Sequence, residues 1–482
     1  MPYMCRVASP PVKCILDSVN VDAIRRVDRF VGTPLCWALT VCRWIARLAG
    51  TTSPPPRRVL VIKLTEMGST VLAYPALRAL QKAIPDVEIH FLVFENNRAI
   101  LDALNMTPPS RIFSVSVKSP LGTLADAWKA VRHLQRLHID TTLDFDFFSR
   151  FSAAFAYLVC RGNRVGFHRY TGEGQDRGNL LTHRVHYSPH IHTSSAFMAL
   201  VQALLDSFGV RYTKMPETAR QSLALHDADR HTTAGMEGEA LPCRGNKSPQ
   251  PVSPADEPLY KGAISESSFI LPDYRPPETD IESVRTKLRD RGLVTSSETS
   301  LVLINPNSSD LFPLRRWPLD RFAEVTKRLI ENDSSVRIVV TGTASEEADA
   351  RAILDRVSSS SCVSMAGATT FPELLALYSL ASLMITNDSG PAHFATLLCL
   401  PTLVLFGPET PRLYSPIGPQ ARCLYPGFAC SPCVSVYNAK KSPCRRSLCL
   451  ESISVDEVLR NATEMLHLSP CGLACPRPFP HI

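Results

Sequence analysis

Several features are scarce in this 482-residue chain, and each scarcity excludes a class of protein. A strong charge of one sign is missing: 52 Lys+Arg against 45 Asp+Glu leave +7. That excess permits acidic partners such as nucleotide phosphates and demands no nucleic acid. A secretory leader is not legible, because Arg6, Lys13, Asp17, Asp22, Arg25, Arg26, Asp28 and Arg29 make the start too polar for a short apolar core. A bilayer-length apolar run is lacking too. The uncharged stretch FVGTPLCWALTVC, from Phe30 to Cys42, has 13 residues, whereas a spanning helix needs ~20. No internal repeat of fixed period is present, which sets aside solenoids and propellers.

What is there reads as an ordinary globular protein, 45% hydrophobic and 20% charged. The length suits two sizeable domains with extra segments, at ~150 residues per domain. Proline is abundant, 39 residues, and clustered: eight lie between Pro242 and Pro277. That segment reads as linker or insertion. The expected organisation is an N-terminal segment 1–56, a first domain 57–212, a Pro-rich linker 213–298, a second domain 299–468 and a tail 469–482. The N-terminal run has two readings. It is either an interfacial membrane anchor, with Trp37 and Trp44 flanked by arginines, or a helix docked on the first domain.

Both domains open on a strand buried on two faces. RVLVIK is followed by the loop LTEMGST, a helical pattern VLAYPALRALQKAIP and a second strand, VEIHFLVF. The second half repeats the plan with LVLINPN, a helix over 319–332, RIVVTG, a helix over 345–358, and the strands LMITN and TLVLFG. Strand–helix–strand units of this kind build parallel sheets with right-handed crossovers. The fold class is therefore α/β, two Rossmann-like doubly wound domains. Ligands of such sheets sit at the carboxyl ends of the strands.

The run Thr386-Asn387-Asp388-Ser389-Gly390-Pro391-Ala392-His393 follows a strand and opens a helix. Gly390 allows close backbone approach, Ser389 can hold an anion, Asp388 can accept from sugar hydroxyls, and His393 can donate to a phosphate. NDSGPAHFA, the following LPTLVLFGPETP and SPIGP, the opening VLVIKLTEMGSTVLAYPALRAL, INPNSS…RRWPLDRFAEV and VVTGTASEE together resemble glycosyltransferase family 9, the heptosyltransferase-like enzymes. The resemblance covers about residues 57–465 and leaves the central linker unmatched.

That resemblance implies a GT-B architecture, two Rossmann-like domains facing across a cleft, with the acceptor on the first and a nucleotide-diphosphate sugar on the second. It implies inverting transfer of a heptose or other sugar to a saccharide or lipid-linked glycan of the lipopolysaccharide type, on the cytoplasmic side of the membrane with peripheral contact, and without a metal. Carried over by position, Ser308 and Ser309 correspond to phosphate-loop residues, Arg315 to a diphosphate contact and Glu346 to a ribose-binding acid. Asp388, Ser389, Gly390 and His393 correspond to the loop gripping the donor. One departure stands out. Where the family has Gly-Asp, with the Asp as acceptor base, this chain has Gly68-Ser69. A serine is no general base near neutral pH, so Glu66, two residues before Gly68, is the expected substitute, with Asp146 and Asp144 of LDFD as further candidates. Two rival readings follow: a nucleotide-sugar binder that has lost its base, and a nucleotide-sugar epimerase of the same architecture.

The fifteen cysteines form no framework. In a reducing compartment, Cys430, Cys433, Cys444 and Cys449 are expected as a structural zinc site, with an iron–sulfur cluster as the second option and two disulfides as the third. His183, His186, His190 and His192 read as a polar surface loop, with an acceptor-side role for His190 or His192 as the alternative.

Overall fold

The computed structural model describes residues 28–47, 54–117, 119–168, 177–210, 274–296, 298–309, 312–436, 438 and 442–467. The Pro-rich stretch up to residue 273, the first 27 residues, Lys440, Lys441 and the tail with Cys471 and Cys475 lie outside them.

Two six-stranded sheets carry the architecture, both parallel throughout. The first has the order β3-β2-β1-β4-β5-β6, from β1 (Arg58–Ile62), β2 (Glu88–Phe94), β3 (Ile112–Val115), β4 (Thr141–Asp144), β5 (Asn163–His168) and β6 (His183–His186). The second has the order β12-β11-β10-β7-β8-β9, from β7 (Ser300–Asn305), β8 (Val336–Val340), β9 (Cys362–Ser364), β10 (Leu383–Asn387), β11 (Thr402–Leu405) and β12 (Ala421–Leu424). Val59, Leu60, Val61 and Ile62 are all buried, as are Leu301 through Asn305. Strands buried on both faces need helices on both faces, and the βαβ crossovers supply them. In each sheet the chain leaves the first strand toward one edge and returns past it to the other, which opens a crevice at the carboxyl ends.

The two sheets face each other through their helices. One continuous apolar cluster joins Val71, Leu72 and Leu77 of the helix Met67–Ala83 to Phe197 and Leu200 of Thr193–Asp206. It continues to Leu375 of Phe371–Ser379 and Phe394 of Gly390–Ala395 in the second domain. Around Phe145, Phe147, Phe167 and Phe197 it is a stacked aromatic block.

Two expectations change here, and the N-terminal run takes the docked form already allowed for it. Part of the segment read as linker is ordered: the helix Glu278–Asp290 buries Val284 and Leu288, and its Lys287 pairs with Glu373 at 2.6 Å. It therefore packs as part of the second domain. The histidine segment is not a surface loop, since His183 and His186 sit on edge strand β6 and His192 begins a helix. The N-terminal run forms the helix Gly32–Arg47, docked on Arg150–Val159 through Cys36 and Gly32.

Candidate functional site

The first loop of the first domain meets the donor loop of the second. The helix Met67–Ala83 starts at Glu66, whose φ of 64° is left-handed. A non-glycine residue held there costs of order 1–3 kcal/mol and is often kept where function needs the geometry. The Ser69 hydroxyl donates to the Glu66 carbonyl at 3.0 Å and reaches its carboxylate Oε2 at 3.3 Å. Gly68 is required by closeness: a Cβ there would lie 2.6 Å from His393 Cδ2 and 3.2 Å from Gly390 Cα. Domain contact at this point thus depends on a residue without a side chain.

On the opposite wall, Arg315 is largely buried beside Asp388, Nη1 to Oδ2 3.5 Å. Burial opposes its charge, yet the carboxylates of Asp388, Glu409 and Glu66 outweigh that and hold the guanidinium firmly protonated. Two of these acids come from the second domain and Glu66 from the first. Carboxylates accept from sugar hydroxyls, and a fork of guanidinium donors suits a phosphate. Asn387 braces this wall: its Oδ1 accepts from the Trp317 N–H at 3.0 Å and its Nδ2 donates to the Pro306 carbonyl at 2.6 Å.

His393 lies across from Glu66 and His192. Burial first, then His192 and Arg315, push its pKa down to about 3, with Glu66 pulling the other way. Its Nδ1 is buried without a hydrogen-bond partner. His192 is held neutral by its burial. Its Nδ1 accepts from the Ser194 N–H at 3.3 Å, and its Nε2 donates to the Ser415 carbonyl of the second domain at 2.9 Å. Burial brings its pKa to about 4, although the Ser415 bond favours the charged form. Arg412 adds a second strap by donating to the His190 carbonyl at 2.9 Å.

The other expected residues divide by position. Asp146 accepts from the Leu64 N–H at 2.9 Å and pairs with the buried Lys63 at 3.5 Å, so it holds the first loop in shape. Burial raises its pKa against the pull of Lys63. Asp144 is buried, salt-bridged to Arg177 at 2.6 Å and bonded by Ser152; burial raises it to about 6. Ser308 uses its hydroxyl on the Phe312 carbonyl at 3.1 Å, whereas Ser309 is exposed. Glu346 closes a capping box, accepting from the Thr343 N–H at 2.7 Å. Ser389 caps no N–H with its side chain and donates to the Asn387 carbonyl at 3.2 Å.

Sequence reasoning missed Asn307. It follows β7 at the carboxyl end, is 2% exposed, and leaves both Oδ1 and Nδ2 without a partner. Buried amides without partners are rare, and here the carboxyl-end position was the available signal. Glu409 and Tyr414, both buried at the cleft, were missed as well.

The expected zinc site does not assemble. Among the described residues no group of three or more His, Cys, Asp or Glu side chains can hold a metal ion. Cys430 and Cys444 are exposed, Cys449 is buried, and Cys433 Sγ lies 3.2 Å from Ser442 Oγ. Four thiolates on one ion need converging sulfurs within about 2.3 Å of it, and the described residues bring no such group together. Cys399, outside that loop, is disulfide-bonded.

Two parallel Rossmann-like sheets facing across a cleft, with an arginine and acids from both walls, define a GT-B fold. Two solved structures share it. One, of the E. coli ADP-heptose lps heptosyltransferase II, is 18% identical with a TM-score of 0.56, covering 85% of this chain and 98% of that one. The other, a glycosyl transferase family 9 protein from Veillonella parvula, is 17% identical with a TM-score of 0.60, covering 86% and 99%. At that identity the likeness concerns the fold alone. Residues 272–442 match the sequence model of "Glycosyltransferase family 9 (heptosyltransferase)". Lipopolysaccharide heptosyltransferase 2 of Salmonella typhimurium is 28% identical over 167 residues, 34% of this chain and 47% of the relative. The match thus spans about half of that relative's length.

Proposed function

We propose that the protein is an inverting glycosyltransferase that moves a heptose from a nucleotide-diphosphate sugar, ADP-heptose foremost, to a saccharide acceptor of the lipopolysaccharide core type. The supporting observation is that Glu66 of the first domain acts electrostatically on Arg315 and His393 of the second, with Arg315 paired to Asp388. In this reading the donor lies on the second domain. Arg315 takes the charge that develops on the departing diphosphate, where fixed donors act most strongly in the transition state. Asn307 supplies unpaired amide groups to the donor, and Asp388 accepts from sugar hydroxyls.

The acceptor lies on the first domain. Glu66 removes the proton of its attacking hydroxyl, and the Ser69 hydroxyl orients the carboxylate. A base on one wall and a leaving-group cation on the other suit attack from the face opposite the diphosphate, which inverts the anomeric centre. Asp146 acts as a positioning residue, through Leu64 and Lys63. The acceptor's lipid would bring the protein to the cytoplasmic face of the membrane, as a peripheral protein; no helix among the described residues is long and apolar enough to cross one.

The test is a thermal-shift and transfer series. ADP-heptose, other nucleotide sugars and free nucleoside diphosphates are compared for stabilisation, which reaches ~2.7 kcal/mol at 100 times Kd. Transfer is then followed on core saccharide acceptors. Stabilisation by a donor with sugar transfer bears the reading out. Donor binding without transfer reduces the protein to a nucleotide-sugar binder, and the absence of both binding and transfer sinks the proposal.

A further inference from the structure

The helix Gly32–Arg47 is built inside out for a helix facing water. From Phe30 to Ile45 its single charged residue is Arg43, and that side chain is buried against the first domain. Arg43 Nη1 donates to Asn179 Oδ1 at 2.9 Å and to the Leu181 carbonyl at 2.8 Å. Gly32 and Cys36 join it on the inner face: a Cβ at Gly32 would lie 2.8 Å from Arg150 Cβ, and Cys36 has no exposure. The outward face is left to Phe30, Val31, Leu35, Trp37, Val41, Trp44 and Ile45, with Phe30 71%, Trp37 64% and Trp44 68% exposed. These seven account for more than half of the thirteen large exposed hydrophobics among the described residues. Trp37 and Trp44, seven residues apart, fall on one line along the helix, and Val41 lies between them.

We propose that this face inserts into the headgroup region of a lipid bilayer, with the helix lying in the membrane plane. The inference deepens the membrane-facing part of the function proposed above, yet it rests on the helix alone. A contiguous apolar patch of this kind marks an interaction site. At 16 residues the helix is about 24 Å long at 1.5 Å per residue, short of the ~30 Å hydrocarbon core, so it lies on the bilayer and does not span it. Tryptophan, amphipathic and rigid, prefers the interface over either water or hydrocarbon. Charge complements the choice of lipid. Arg57, Arg132, Arg136 and Arg161 are exposed where β1 begins and where the helices Pro120–Arg136 and Arg150–Val159 end, at the strands' amino ends. Arg29 is exposed at the start of the run. Basic groups near a surface draw the protein to anionic lipid and fall off within a Debye length.

The test is flotation of the full chain with zwitterionic vesicles and with vesicles carrying anionic lipid, comparing wild type with the Trp37→Ser/Trp44→Ser double variant. Both sites are exposed, so the variant's folding is expected to match wild type by circular dichroism and thermal unfolding. The expected results are binding to both vesicles, stronger with anionic lipid and weakened by salt, and a fall of roughly tenfold or more in the double variant. Wild type in a Trp128→Phe background should also lose tryptophan fluorescence to brominated lipid; Trp317, buried, stays unquenched. Absence of vesicle binding overturns the proposal. So does a dimer that dissociates in the double variant while neither protein floats, which would make the face a contact between two copies. Donor binding is measured in parallel; its loss would count against the proposed function and leave the membrane proposal standing on flotation.

Discussion

Acidification should loosen the contact between the two domains, and two histidines set how much. An ordinary histidine titrates near 6.5, whereas burial holds His192 near 4 and His393 near 3. Well above pH 6.5 both are neutral whether the chain is folded or not, and they contribute no pH dependence there. Below it the unfolded chain takes up protons that the folded one refuses, so stability falls as pH drops from 6.5 toward 4 for His192 and toward 3 for His393. Between about pH 7.5 and 5.5 linkage gives a loss of about 1 kcal/mol for each, or roughly 2–3 kcal/mol together. The structural cause is specific for His192: protonating Nδ1 would remove the acceptor that caps the Ser194 N–H. Asp144 works in the opposite sense, because a folded pKa near 6 favours the protonated folded form as pH falls. The assay therefore compares urea unfolding at the two pH values for wild type and the His192→Gln/His393→Gln variant, in which Asp144 cancels. The variant should lose about 2–3 kcal/mol of the pH dependence. If both proteins show the same change between the two pH values, the histidines are not buried neutral and the account of the interface is wrong.

Other expectations follow from the same site. Arg315→Gln should weaken donor binding by about 10- to 100-fold, the worth of a charge-assisted bond of roughly 1.5–3 kcal/mol, measured by calorimetry. Glu66→Gln should lower kcat by about 10²–10⁴ with donor affinity kept, and unchanged turnover would remove Glu66 from the mechanism. Gly68→Ala should impair transfer without unfolding the first domain, because its Cβ would press on His393 at 2.6 Å; a variant with wild-type kcat/KM would show that the domains do not need this approach. Treatment with a strong chelator should leave transfer and melting temperature unchanged, and a fall in either would restore a metal to the cysteine loop.

Much of the molecule is legible in sequence because it depends on local pattern. Val59–Ile62 and Leu301–Ile304 read as doubly buried strands since a central parallel strand must be apolar on both faces. NDSGPAH reads as a loop-to-helix ligand turn because Gly and Pro impose their own backbone preferences. The edge strands β3, β6, β9 and β12 were not legible: a short strand at a sheet edge lacks the apolar run that burial on both faces imposes on β11, and pairing with a neighbour decides it.

The sequence by itself determined the two α/β domains, the loop Asp388–His393, and a first loop that carries Gly68-Ser69 with Glu66 two residues before it. Those rest on residue identity and spacing. Tertiary structure alone decided that Glu66 of one domain lies within electrostatic reach of Arg315 of the other, that Asn307 is buried unpaired, that the four cysteines form no closed site, and that Arg43 turns inward while two tryptophans turn out. Each of these is a matter of what lies across a contact between segments far apart in the chain, and burial, electrostatic field and open valence there are properties of the neighbours rather than of the residue.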